Sequence, residues 1–110
     1  MAAWELDFYN AKVAKIIDAW PVGMLASFDH IVRMMRERGP DLGLPHTRAM
    51  GGGLFEIRAK GHEGIGRAFY CTVVGQRIVV LHAFTKKTEQ TPPRELATAR
   101  ERLREVRQQR

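Results

Sequence analysis

The chain has one cysteine, Cys71, in 110 residues. That excludes an intramolecular disulfide and a cysteine-rich zinc site, and it points away from the oxidising compartments where small domains depend on disulfides. No apolar run approaches the length of a membrane span. The first twenty residues carry Glu5, Asp7, Lys12, Lys15 and Asp18, which break up any apolar stretch resembling a secretory signal. A cytoplasmic protein without membrane contact is the resulting expectation. Internal repeats and low-complexity linkers are also missing, so residues 1–110 read as one domain. No set of His, Asp and Glu has metal-ligand spacing, and neither a metal nor another cofactor is expected.

What the chain does have is ordinary globular material and an uneven charge. Hydrophobic residues make up 45% and charged residues 27%. Lysine and arginine number 18 against 12 acidic residues, a formal charge of +6. Residues 1–55 are balanced, and the whole excess lies in residues 56–110. A basic half on a small domain suits a polyanionic partner, although a merely basic solvated surface gives the same composition.

The first half patterns as a strand followed by two helices. Residues 4–9 alternate apolar and polar, as a half-buried strand does. Asn10 can cap a short helix with Val13, Ile16, Ile17 and Trp20 on one face. Pro21 suits the first turn of a second helix, whose stripe is Met24, Leu25, Phe28, Ile31, Val32 and Met35. Gly39-Pro40 ends it. Residues 40–53 read as loop. The Gly51-Gly52-Gly53 run lacks the lysine and hydroxyl residue of a phosphate-binding loop and precedes a strand, so it reads as a turn.

The second half patterns as a β-meander and a helix. Leu54–Lys60, Gly66–Val74 and Arg77–Phe84 are the expected strands, with a polar loop over 60–66. A two-residue turn at Gly75-Gln76 would set Val74 opposite Arg77, Cys71 opposite Val80, Phe69 opposite His82 and Arg67 opposite Phe84. Opposed residues share a face, so Arg67, Phe69, His82 and Phe84 should gather near one end of the hairpin. Arg67 can be read as an anion site ringed by aromatics, or as a residue that simply pairs with Glu56 or reaches solvent at the strand end. Tyr70 falls on the other face and reads as core, as does Cys71. The last helix begins at Thr91 or Pro92 and has the stripe Leu96, Ala99, Leu103 and Val106.

Several of these segments together resemble a known family. They are Leu54-Phe55-Glu56-Ile57-Arg58, Gly66-Arg67-Ala68-Phe69-Tyr70, Ile78 to Thr88 with its Leu81-His82-Ala83-Phe84-Thr85-Lys86-Lys87-Thr88 core, and Thr91-Pro92 before a terminal helix. In these the chain resembles the RelE/HigB-like toxins of type II toxin–antitoxin systems, in particular the phage-derived HigB-like branch. The resemblance spans residues 4–106. The lysine–threonine–proline segment is its specific part, and Ala83 and the double proline Pro92-Pro93 depart from the pattern. It implies an α+β RelE-like domain: an N-terminal strand, two helices, an antiparallel β-meander and a C-terminal helix. It also implies an endoribonuclease (an mRNA interferase) that cleaves mRNA, often on the ribosome, and inhibits translation. A cognate antitoxin, commonly a helix-turn-helix DNA-binding protein, would hold it inactive, and DNA would be met only through that partner.

Metal-free RNA cleavage needs a base for the 2′-OH proton, cations for the phosphate oxygens and an acid for the 5′ leaving oxygen. The expected catalytic residues are Arg67, Lys86, Lys87 and His82, with Arg58, Lys60 and Thr88 as RNA contacts. Arginine can grip a phosphate bidentately, whereas lysine acts as a point charge. Glu56 could be a base or only a partner for arginine, so the acid and base are not assigned. The rival readings are a non-catalytic relative that binds RNA or antitoxin, and a basic DNA-binding regulator. The latter is weakest, because no helix-turn-helix spacing follows the long helix.

Overall fold

In the computed structural model, residues 3–86 and 90–109 are described, with the side chain of Lys86 excepted. The element order is β1 (Glu5–Phe8), α1 (Ala11–Asp18), α2 (Val22–Arg38), β2 (Thr47–Gly51), β3 (Leu54–Gly61), β4 (Gly64–Val73), β5 (Arg77–Lys86) and α3 (Pro93–Gln108). The fold is α+β and compatible with a RelE-like domain. One five-stranded sheet runs β1-β5-β4-β3-β2. Strands β2 to β5 form an antiparallel meander, and β1 joins β5 in parallel.

Local chemistry sets the helix boundaries. The Asn10 side chain accepts the Val13 N–H at 2.9 Å, as an N-cap should. Pro21 gives α2 no side-chain cap. The job falls to Glu63 in the β3–β4 turn, whose carboxylate accepts the Gly23 N–H at 2.9 Å. Those backbone hydrogen bonds hold the Glu63 carboxyl below its ordinary pKa. Gly39, at a φ of 105°, closes α2.

Period-2 alternation splits the sheet into two apolar faces. Ile57, Ala59, Ala68, Tyr70, Ile78, Val80 and Ala83 pack on the stripes of α1 and α2. Leu54, Phe69, Cys71, Val79, Leu81 and Phe84 pack beneath Ala99 and Leu103 of α3. Tyr70 and Cys71 are core residues, as the pattern indicated. Burial also pushes the Tyr70 phenol far above its usual pKa, and its hydroxyl donates to the Pro40 carbonyl. Gly66 is needed where it stands, since a Cβ there would lie 2.7 Å from the Trp20 ring.

Three boundaries differ from the sequence reading. The 40–53 loop contains β2, a short strand between a proline and a glycine turn. The 60–66 loop shrinks to a tight turn, because β3 and β4 stay paired out to Gly61 and Gly64. The β4–β5 turn has three residues, Val74 to Gln76, so Val73 faces Arg77 and Cys71 faces Val79. Gly75 and Gln76 both take positive φ there. Leu81 is then an extra residue in β5, a bulge that restores the expected pairs Phe69–His82 and Arg67–Phe84.

Candidate functional site

The α3-facing side of the sheet carries the charged residues of interest. On β3 this face is Leu54, Glu56, Arg58 and Lys60, and on β4 it is Arg67 and Phe69. Arg58 and Arg67 are direct cross-strand partners. Opposed like charges on adjacent strands repel, so this pairing needs a counter-charge. Glu56 supplies it. Its carboxylate lies 3.2 Å from Arg67 Nη1, 3.1 Å from Arg48 Nη2 and 4.0 Å from Arg58 Nε.

Three strands thus deliver guanidiniums to one carboxylate. Glu56 and Arg67 are wholly buried, while the side chain of Arg58 is 11% exposed and that of Arg48 36%. The group is graded from interior to surface, with Arg48 on the edge strand its most accessible cation. The exposed Lys60 lies one same-face position beyond Arg58, in the row that crosses Ile65 and reaches Lys86.

Beside this group the bulge turns both Leu81 and His82 toward α3. The Leu81 carbonyl accepts from Arg102 Nη1 at 2.8 Å. His82 Nε2 lies 2.6 Å from Glu95 Oε1, in the first turn of α3. The imidazole stacks near Phe84 at 6.1 Å, and Phe84 in turn lies 5.7 Å from Phe69. Register therefore gathers Arg67, Phe69, His82 and Phe84 as the hairpin reading required.

Further polar contacts hold α3 across this face. Arg100 donates to the carbonyls of Met50 at 2.9 Å and Gly51 at 3.1 Å. Tyr9 donates to Glu105 at 2.7 Å, and Arg102 sits 4.6 Å above the Tyr9 ring. The triple glycine is a seat for α3: a Cβ at Gly53 would lie 2.0 Å from Arg107.

The expected site residues fare differently. Arg58, Lys60, Arg67 and His82 share one face. Arg67 is wholly buried, with its guanidinium 3.2 Å from the Glu56 carboxylate, so the ion pair is present. The backbone of Lys86 ends β5, but its side chain, Lys87 and Thr88 lie outside the described residues. Arg48 and Glu95 were not singled out from sequence. Arg48 lay inside an apparent loop. For Glu95 the one signal was an acid in the first turn of a helix, which helix electrostatics alone explains.

An open cleft of about 750 Å³ lies at the other end of the hairpin, lined by Asp7, Tyr9, Val73, Arg77, Val79 and Val106 among others. Among the described residues, none of the expected site residues borders it. Among the described residues, no group of three or more His, Cys, Asp or Glu side chains is placed to hold a metal ion.

A family model described as Phage derived protein Gp49-like (DUF891) matches residues 15–104. The chain belongs to the Gp49-like family. This is a family of the RelE/HigB-like toxin type. The Gp49-like match takes in Arg48, Glu56, Arg58, Arg67, His82 and Glu95 and leaves β1 outside. No curated protein matches the chain.

Proposed function

We propose that this Gp49-like chain is the toxin of a type II toxin–antitoxin pair and an mRNA endoribonuclease, acting in the cytoplasm and on the ribosome. The observation that supports this most is the shared face: arginines 48, 58 and 67 around Glu56, with the His82–Glu95 pair on the same face beyond Phe69. Cations and a proton-transferring group side by side are what phosphodiester cleavage requires.

In this reading the 2′-OH of one nucleotide attacks the adjacent phosphorus. The 2′-O–P bond forms and the P–O5′ bond breaks, leaving a 2′,3′-cyclic phosphate and a 5′-hydroxyl. His82 moves a proton at the reacting oxygens. Arg58, Arg48 and the Lys86-Lys87 pair carry the phosphate charge, and Lys60 and Thr88 track the backbone. Arg67 acts from beneath, holding Glu56 and adding positive potential. Glu56 is a scaffold for arginines and not the base, because its oxygens are buried and ion-paired. A cognate antitoxin, a helix-turn-helix DNA-binding protein, restrains the activity and connects the pair to its operator. Among the described residues no helix is long and apolar enough to cross a membrane.

The burial of Arg67 and Glu56 favours a second reading, a relative that binds RNA or antitoxin without cutting. Induced expression separates the two. A nuclease arrests growth and shortens transcripts, and co-expression of the neighbouring antitoxin reverses both. A chain that leaves growth and transcripts intact belongs to the second reading.

A further inference from the structure

We infer that Glu95 is a positioning residue for His82, fixing the imidazole with its proton on Nε2 so that Nδ1 is the basic nitrogen of the site. The inference deepens the nuclease reading and rests on it for its catalytic meaning, though not for its structural content.

Three observations carry it. First, Glu95 Oε1 lies 2.6 Å from His82 Nε2. A carboxylate only accepts at neutral pH, so this nitrogen must carry the hydrogen. The nitrogen that makes such a bond decides the tautomer of the ring. Second, His82 Nδ1 is buried and has no hydrogen-bond partner among the described residues. A buried acceptor left unmade is unfavourable, and one that persists in a folded protein calls for a reason. An atom kept ready for a substrate hydroxyl is such a reason. Third, the two partners come from different elements. His82 is presented by the β5 bulge and Glu95 by the first turn of α3, which Arg102 and Arg100 pin to the sheet. Stacking near Phe84 limits rotation of the ring.

The arrangement is that of a histidine oriented by a carboxylate, which catalytic sites on unrelated folds share. Glu95 does not touch the reacting atoms. It orients the ring. Nδ1 exposes no surface in this conformation, so a substrate hydroxyl reaches it only once the ring or the groups covering it shift on RNA docking.

Nitrogen NMR of the imidazole rings tests this without reference to activity. In the wild-type protein with the ring neutral, His82 should be a single tautomer protonated on Nε2. Glu95→Gln retains an acceptor and should largely preserve that tautomer, whereas Glu95→Ala should release a mixture. In RNA cleavage, Glu95→Ala should lower kcat by about 10- to 100-fold while KM stays within about twofold, and Glu95→Gln should fall between. A wild-type ring protonated on Nδ1, or a Glu95→Ala ring unchanged in tautomer, overturns the inference. Equal loss of kcat in both variants with unchanged tautomers makes Glu95 a merely structural helix acid and overturns it too. If the wild-type protein cuts no RNA, the nuclease reading fails while the tautomer result still decides the role of Glu95.

Discussion

Replacing Glu56 by alanine removes a carboxylate on which three arginines converge. The cost can be worked from burial. Arg67 is wholly buried and loses its 3.2 Å contact with Glu56, and breaking a buried ion pair costs about 3–5 kcal/mol. Arg48 is 36% exposed and recovers water, so its share is within about 1 kcal/mol. The sum is a large part of the roughly 5–15 kcal/mol that holds a small domain together. Thermal unfolding should show a drop on the order of 10–25 °C. The double change Glu56→Leu with Arg67→Met tests the cause, because replacing a buried pair by apolar groups of similar size is often neutral. It should recover most of the loss in urea unfolding, with a coupling of about 2 kcal/mol or more. A Glu56→Ala protein within about 1 kcal/mol of wild type, or a double variant no better than the single, would refute the claim that the ion pair organises this face.

Three further outcomes are expected. Glu63→Gln should destabilise the protein near neutral pH, where the carboxylate faces the N-terminus of α2. Because the folded-state pKa of Glu63 is lowered, its contribution is complete above the ordinary carboxylate range and fades as pH falls through the folded value. Urea midpoints of the two proteins should therefore converge in acid, and a gap independent of pH would speak against the charge. Gly66→Ala should cost about 1–3 kcal/mol in denaturant unfolding through contact with the Trp20 ring, and a neutral result would mean the ring gives way freely. Changing Lys86 and Lys87 to alanine should weaken RNA binding and flatten its salt dependence by about one to two phosphate contacts; unaltered binding with more aggregation would assign the pair to protecting a sheet edge instead.

Much of the fold could be read from side-chain periodicity, because each helix buries one stripe. Asn10, the Met24-to-Met35 stripe and the Leu96-to-Val106 stripe stand where spacing put them. The β4–β5 register was right at His82 for a partly wrong reason. Gly75-Gln76 resembles a two-residue turn, yet Gln76 itself adopts a φ of 57° and the loop takes three residues. The bulge at Leu81 then shifts the pairing back, and nothing in an apolar run marks which residue will be the extra one. Strand β2 escaped notice because five residues between a proline and three glycines give too little alternation to register.

The site was legible in its residues more than in its arrangement. Arginine next to a strand end reads as surface, and only the cross-strand placement of Glu56 explains how Arg67 can be interior. Glu95 approaches His82 through the return of α3 across the sheet, a tertiary contact with no local signature. Arg48 acquires meaning once β2 pairs with β3 and puts it opposite Glu56.

The chemistry of the RNA ends tests the proposed cleavage most directly. The purified protein is incubated with mRNA on programmed ribosomes, with chelator present, and the fragments are mapped. Attack by the 2′-OH should leave fragments ending in 2′,3′-cyclic phosphate and beginning with 5′-hydroxyl, and each cut should be lost when the nucleotide supplying the attacking oxygen is 2′-deoxy. Intact mRNA, or fragments that begin with 5′-phosphate, would contradict the proposed cleavage.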